Sequence, residues 1–274
     1  MYRGKLCLVD NSSLRNLQSK ERQAQLEAGL RATGKVFWPS ALNVLEALKS
    51  RDPETRTRLL AALHKLAGEN HVLTLPAEGL RRTAQALAAG ANTIDWTEPR
   101  LTGAFRDPRS VSDDLAGEIR QHLHAQQSNF RAAHEQASAV LRPLFKAEGA
   151  RGRWPSVGQF LDEVWSVPSH LGHYIESLWT VWKLPGSAPV EELLSHRSWR
   201  LFFDGWGATA YAQIIAHPQG RLVQTSDLQQ LVYLGTAQGS IMVTEDTGFR
   251  SMADSILSRR YQLMRVVSLA DVLT

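Results

Sequence analysis

The sequence predicts an α/β fold in which both ends of the chain supply strands to one helix-covered parallel sheet. Three observations carry that expectation. Residues 1–91 alternate short apolar runs with helical periodicity, and residues 219–274 return to the same alternation. Residues 92–218 between them show helical patterns and no strand. The expected organisation is therefore a sheet domain in two parts, 1–91 and 219–274, carrying an all-helical insertion at 92–218.

The elements follow in order. Leu6, Cys7, Leu8 and Val9 form an apolar run of strand length that stops at Asp10. Asn11, Ser12 and Ser13 offer N-caps for a helix running toward Gly34, with Leu14, Leu17, Leu26 and Leu30 on one face. Ser40 caps a second helix in which Leu42, Leu45 and Leu48 recur and Val44 and Ala47 widen the apolar stripe. Asp52-Pro53 opens a third helix ending near Gly68, residues 71–75 read as the second strand, and Pro76 starts a fourth helix. In the insertion, Leu115, Ile119, Leu123, Phe130, Val140 and Leu144 mark one long amphipathic helix. Seven of the eight tryptophans fall between Trp96 and Trp206, which predicts an aromatic core belonging to this region. Beyond it, Ser226-Asp227 would cap a helix ending near Gly239, followed by a strand at 241–244, a helix at 252–257 and a last strand at 263–267.

Composition narrows the function classes. Apolar residues make up 43% and charged residues 21%, which suits a folded globular chain rather than a disordered one. The net charge of +4 comes from 24 Arg and 7 Lys against 27 acids, a mild excess that permits a polyanionic partner without requiring one. The single cysteine, Cys7, excludes an intramolecular disulfide and reads as a small buried hydrophobe. Without an apolar run of signal-peptide or membrane-spanning length, the expected location is a reducing cytoplasm and no membrane partner is expected. No Gly-rich or Walker-type phosphate loop supports a nucleotide cofactor. A phosphatase of the haloacid-dehalogenase kind would want a second Asp where Ser12 stands. His122 and His124 point to different helix faces, and His170 and His173 lack a matching third ligand, so zinc is not expected.

Carboxylates carry the strongest chemical signal. Ligands of an open parallel sheet bind beyond the carboxyl ends of its strands, and Asp10 and Asp246 both follow such ends. Glu46 and Asp227 sit in helices expected to flank the same edge. Acids gathered there repel unless a cation neutralises them, and hard oxygen donors favour Mg²⁺ or Mn²⁺. The pattern resembles the PIN domain family of metal-dependent nucleases. Leu8-Val9-Asp10-Asn11-Ser12-Ser13 matches the family's strand ending in Asp before a polar turn, and Glu46 its acidic helix residue. Asp227, the strand at 241–243 and Thr244-Glu245-Asp246-Thr247-Gly248-Phe249 match its late signature of Asp, apolar strand and Thr-x-Asp-x-x-Phe. Thr244 follows Asp227 by 17 residues, room for a short helix, a turn and a strand.

The resemblance implies a PIN-like three-layer α/β/α fold of strand order 3-2-1-4-5. It implies metal ligation by Asp10, Glu46, Asp227 and Asp246, with Ser12 and Thr244 as polar helpers. The expected activity is Mg²⁺- or Mn²⁺-dependent cleavage of nucleic acid, RNA before DNA, by an endoribonuclease. Compact members of that family lack an insertion of this size. Two further readings stand beside this one: a non-catalytic scaffold that uses the insertion to bind a protein partner, and a toxin neutralised by an antitoxin. Each acid also has a plainer role, since Asp10 and Asp227 suit N-caps, Asp246 a turn and Glu46 a solvated helix face. Arg81-Arg82 and Arg259-Arg260 are candidate phosphate contacts, and the tryptophans are core before they are base-stacking platforms.

Overall fold

The computed structural model describes residues 5–91, 94–147, 154–164, 167–211, 225–261 and 263–272. Four strands, β1 (Lys5–Val9), β2 (Lys35–Phe37), β3 (Ile241–Val243) and β4 (Arg265–Val267), form one sheet in the order β2-β1-β3-β4. Every pair is parallel. Leu6, Cys7, Leu8 and Val9 are all buried, although successive side chains leave opposite faces of a strand. Both faces of β1 are therefore covered, as a central parallel strand requires.

The N-terminal helices are α1 (Asn11–Asn16), α2 (Lys20–Thr33), α3 (Ala41–Leu48), α4 (Pro53–Ala67) and α5 (Pro76–Ala88). The single helix expected between Asp10 and Gly34 is two. The chain breaks at Leu17, whose carbonyl accepts from Gln23 Nε2 at 2.7 Å, and restarts at Ser19. Gly34 ends α2 in the left-handed region at φ 62°, where its missing Cβ removes the usual penalty. Ser40 and Asn43 close a reciprocal capping box at the start of α3. Asp52 caps α4, and Pro53 occupies its first turn.

Two expectations about strands change. Residues 35–37, where no strand was expected, form β2. Residues 71–75 are not a full strand: Leu73 alone bridges, parallel to Ser40 and antiparallel to Thr97. These two bridges use opposite sides of the backbone, with Leu73 N–H donating to Pro39 O at 2.8 Å and Thr74 N–H to Trp96 O at 2.7 Å.

From 99 to 211 the described residues form α6 (Pro99–Arg106), a 3₁₀ turn at Pro108–Ser110, and helices α7 (Asp113–Ala147) to α11 (Arg197–Tyr211). Between these lie α8 (Val157–Val164), α9 (Pro168–Val181) and α10 (Val190–Ser195). No helix among the described residues is long and apolar enough to cross a membrane. Phe130, Tyr174, Trp199, Phe202, Phe203 and Trp206 form an aromatic cluster across α7, α9 and α11. That cluster is not a separate core, because it is continuous with the apolar residues under the sheet. Helix α11 packs along α12 (Thr225–Leu234), and Trp199 Nε1 donates to Leu80 O of α5 at 3.2 Å. Helix α13 (Thr247–Arg260) is longer than expected, and α14 (Leu269–Val272) closes the described chain.

Candidate functional site

The register Val9↔Val243 places Asp10 and Thr244 side by side just past the ends of β1 and β3. The chain passes from β1 to β2 on one side and from β3 to β4 on the other, so this edge is the topological switch point of the sheet. Asp10 N–H donates to Val243 O at 3.0 Å and Thr244 N–H to Val267 O at 2.9 Å, extending the ladder by one step.

Asp10 is 5% exposed. Its Oδ1 accepts from Ser13 N–H at 2.8 Å, which makes it the N-cap of α1, and its Oδ2 accepts from the buried Thr244 hydroxyl at 2.7 Å. The same hydroxyl accepts from Asp246 N–H at 3.0 Å. One side chain thus fixes the first acid and the backbone of the second. Asp246 is exposed, and its Oδ1 caps α13 by accepting from Phe249 N–H at 2.9 Å. The cap expected as the plainer reading of Asp10 is therefore present, and Asp246, expected to form a turn, caps a helix as well; capping leaves each acid's second oxygen aimed elsewhere.

Sequence reasoning missed two supporting residues. Ser13 Oγ accepts from Glu245 N–H at 3.0 Å, tying the start of α1 to the loop after β3. Asn43 is fully buried and donates from Nδ2 to Val9 O at 2.8 Å, fastening α3 to the end of β1. The signal for Asn43 was its third position in the Ser40 capping box, although nothing local announces its long-range bond.

Glu46, one turn beyond Asn43 on α3, is held differently. Its Oε1 pairs with Arg15 Nη2 of α1 and its Oε2 with Lys49 Nζ, each at 2.8 Å. Burial pushes the Glu46 carboxyl up, but hydrogen bonds and charge from Lys49 and Arg15 outweigh it and hold it below the usual glutamate range. Asp227 lies at the third position of α12, which begins two residues before the expected cap. The side chains of Asp227 and Ser12 lie outside the described residues, as do those of Arg259 and Arg260. Arg81 and Arg82 both pair with Glu78, and Arg82 also reaches Glu98 at 3.3 Å.

Among the described residues no three His, Cys, Asp or Glu side chains form a group that could hold a metal ion. Oxygen donors of the kind Asp10 and Asp246 present suit a hard cation. Mg²⁺ in particular takes one or two carboxylates and completes its shell with water and substrate phosphate. Glu46, with an oxygen on each of two cations, does not fit that role in this arrangement. Cys7 is buried in β1, which pushes its thiol up to about 12 and leaves it inert.

Compared with protein-family models, curated proteins and solved structures, the chain matches none.

Proposed function

We propose that the chain is a divalent-metal-dependent nuclease of PIN-like architecture that hydrolyses RNA phosphodiester bonds at the edge formed by Asp10 and Asp246. The observation that carries this reading is the Asp10–Thr244–Asp246 unit: one buried hydroxyl that orients the Asp10 carboxylate and fixes the Asp246 backbone at the switch point of a parallel sheet. The strand order adds support. The segment at 71–75 bridges in parallel to Ser40, directly after β2. Adding it outside β2 turns the order β2-β1-β3-β4 into the 3-2-1-4-5 order that the resemblance implies.

A Mg²⁺ or Mn²⁺ ion bound there would supply Lewis acidity toward the phosphodiester and a more acidic water. Asp10 and Asp246 would hold it, Asp10 from a fixed rotamer and Asp246 from the exposed side facing substrate. Thr244 keeps the Asp10 carboxylate in place, and Ser13 holds the loop that carries Asp246. Asp227 is assigned as a third acid by its position in the motif.

The test is cleavage of labelled RNA in Mn²⁺ by wild type, Asp10→Asn and Asp246→Asn, with calorimetric titration of Mn²⁺ into the same samples. Cutting and metal binding that disappear together in the variants support the reading. Undiminished cutting by purified Asp10→Asn sinks the site.

A second reading, a non-catalytic scaffold that binds a protein partner through the helical region, is favoured by one observation. Glu46 is neutralised by Arg15 and Lys49 rather than left to join an acidic cluster. It predicts intact RNA in Mn²⁺ and a partner whose binding depends on residues 92–218.

A further inference from the structure

A cleft of about 380 Å³ opens between α5, α7 and α9, a volume within the range of small-ligand sites. Its apolar wall is Phe130 of α7 and Trp182 at the end of α9, with ring centroids 6.2 Å apart and planes inclined by 31°. Trp182 is half-buried and is steadied from behind by Trp199, whose ring meets it edge-on at 5.9 Å. The polar wall is Glu78 and Arg81 of α5 with Gln126 and Asn129 of α7.

Charge in the cleft is spent internally. Glu78 accepts two hydrogen bonds from Arg81, at 2.8 and 2.9 Å, and a third from Arg82 at 3.0 Å. The cleft also presents the Trp182 ring and two side-chain amides, that of Asn129 and that of Gln126, whose Nε2 meets His122 Nε2 at 3.1 Å. A flat, uncharged ring with mixed hydrogen-bonding edges matches that surface, and a nucleobase is such a ring. Placement agrees. Leu73 bridges Ser40 in parallel, so 71–75 runs in the direction of β2, and α5 begins at Pro76 on the carboxyl edge that carries Asp10 and Asp246.

We propose that this cleft is a subsite for one unstacked nucleobase of a single-stranded nucleic acid, with Trp182 as the stacking face and Asn129 and Gln126 reading the base edge. The proposal rests on the nuclease reading for the identity of the polymer. Its test is run in EDTA, so that its failure and the failure of that reading are distinguishable. A short labelled single-stranded oligoribonucleotide and an abasic oligonucleotide of equal length are titrated by anisotropy with wild type, Trp182→Leu and Asn129→Ala.

Wild type is expected to prefer the base-bearing strand. Trp182→Leu should weaken that binding by about 5- to 150-fold, the span of one base–aromatic stack. Asn129→Ala should weaken it by about 2- to 13-fold, the span of one net hydrogen bond. Binding of the abasic strand should not change. Equal affinity of wild type for the two strands overturns the proposal, as does unchanged binding in both variants. Should Trp182→Leu fail to fold, the exposed Asn129→Ala decides the matter alone. Free adenosine that displaces the oligonucleotide at matching concentrations would assign the cleft to a free nucleoside and overturn the polymer subsite.

Discussion

Asp10 and Glu46 flank the same end of the sheet, and the resemblance gives both the same task, yet the protein holds them by opposite means. Asp10 is buried and oriented by a backbone N–H and a hydroxyl, groups that fix a carboxylate without cancelling its charge. Glu46 is gripped by Arg15 and Lys49, whose side chains are 73% and 51% exposed, and those two cations outweigh its charge. The contrast separates two ways of holding an acid, and on the α3 side of the edge two cations on one carboxylate leave a small positive excess.

The largest expected effect breaks the comparison if it fails. Asp10→Asn retains the shape and the capping acceptor but removes the charge. RNA cleavage in Mn²⁺ should fall by more than ~100-fold, beyond the loss usual for a ligand's supporting partner. The expected thermal unfolding curve stays close to wild type. Next comes Thr244→Val, which keeps the volume of a fully buried residue and deletes the hydroxyl that serves Asp10 and Asp246. Steady-state cleavage should drop by roughly 10- to 100-fold, as for outer-shell partners of metal ligands. Equal activity in Thr244→Val would mean that Asp10 is oriented by other contacts.

Asn43→Ala separates position from chemistry. Asn43 closes the capping box with Ser40 and ties α3 to Val9 O, so its loss leaves buried backbone groups without partners. The expected destabilisation in urea is about 1–3 kcal/mol. Activity per folded molecule should fall less than in Thr244→Val, because Asn43 bonds the backbone at Val9 and the cap of α3, whereas Thr244 bonds the Asp10 carboxylate itself.

How much of this was legible depends on whether the deciding interaction is local. The end of β1 at Asp10 was, because an apolar run that stops at an acid needs no distant partner to be read. The Thr244–Asp246 contact is local too, since a hydroxyl two residues before an Asp can accept from its N–H. Residues 35–37 were not: they hold one exposed valine and a lysine, and only pairing with Lys5, Leu6 and Cys7 makes them a strand. The break at Leu17 was passed over although the phase shows it: Leu17 and Leu26 lie nine residues apart, about 2.5 turns, and fall on opposite faces of any continuous helix. The 71–75 run looked like a strand by its apolar content, and its backbone does bond a neighbour on each side, but the pairing stops at Leu73 alone. At the site, Lys49 stands three residues from Glu46 and its ion pair follows from helix geometry. Arg15 lies 31 residues away, and nothing in the sequence joins it to Glu46 before the fold does.

The smallest effect sharpens the comparison most. Glu46→Gln deletes the charge that Arg15 and Lys49 share. Both cations are largely solvent-exposed, so screening limits the loss of stability at neutral pH to about 1 kcal/mol or less. Its pH dependence has a definite sign. Although burial alone would raise the Glu46 carboxyl, Lys49 and Arg15 lower it below the ordinary 4.5, so the folded state binds this proton more weakly than the unfolded chain. The stabilisation is therefore complete above that ordinary value and is lost as pH falls through the depressed one. Urea midpoints of wild type and Glu46→Gln should differ near neutrality and converge in acid. Cleavage by Glu46→Gln should fall less than in Thr244→Val, and freed Arg15 and Lys49 should tighten RNA binding at low salt. A loss of cutting as deep as that of Asp10→Asn, with weaker Mn²⁺ binding, would show instead that Glu46 leaves its ion pairs to join the acids when metal arrives. The two sides of the edge would then be one site.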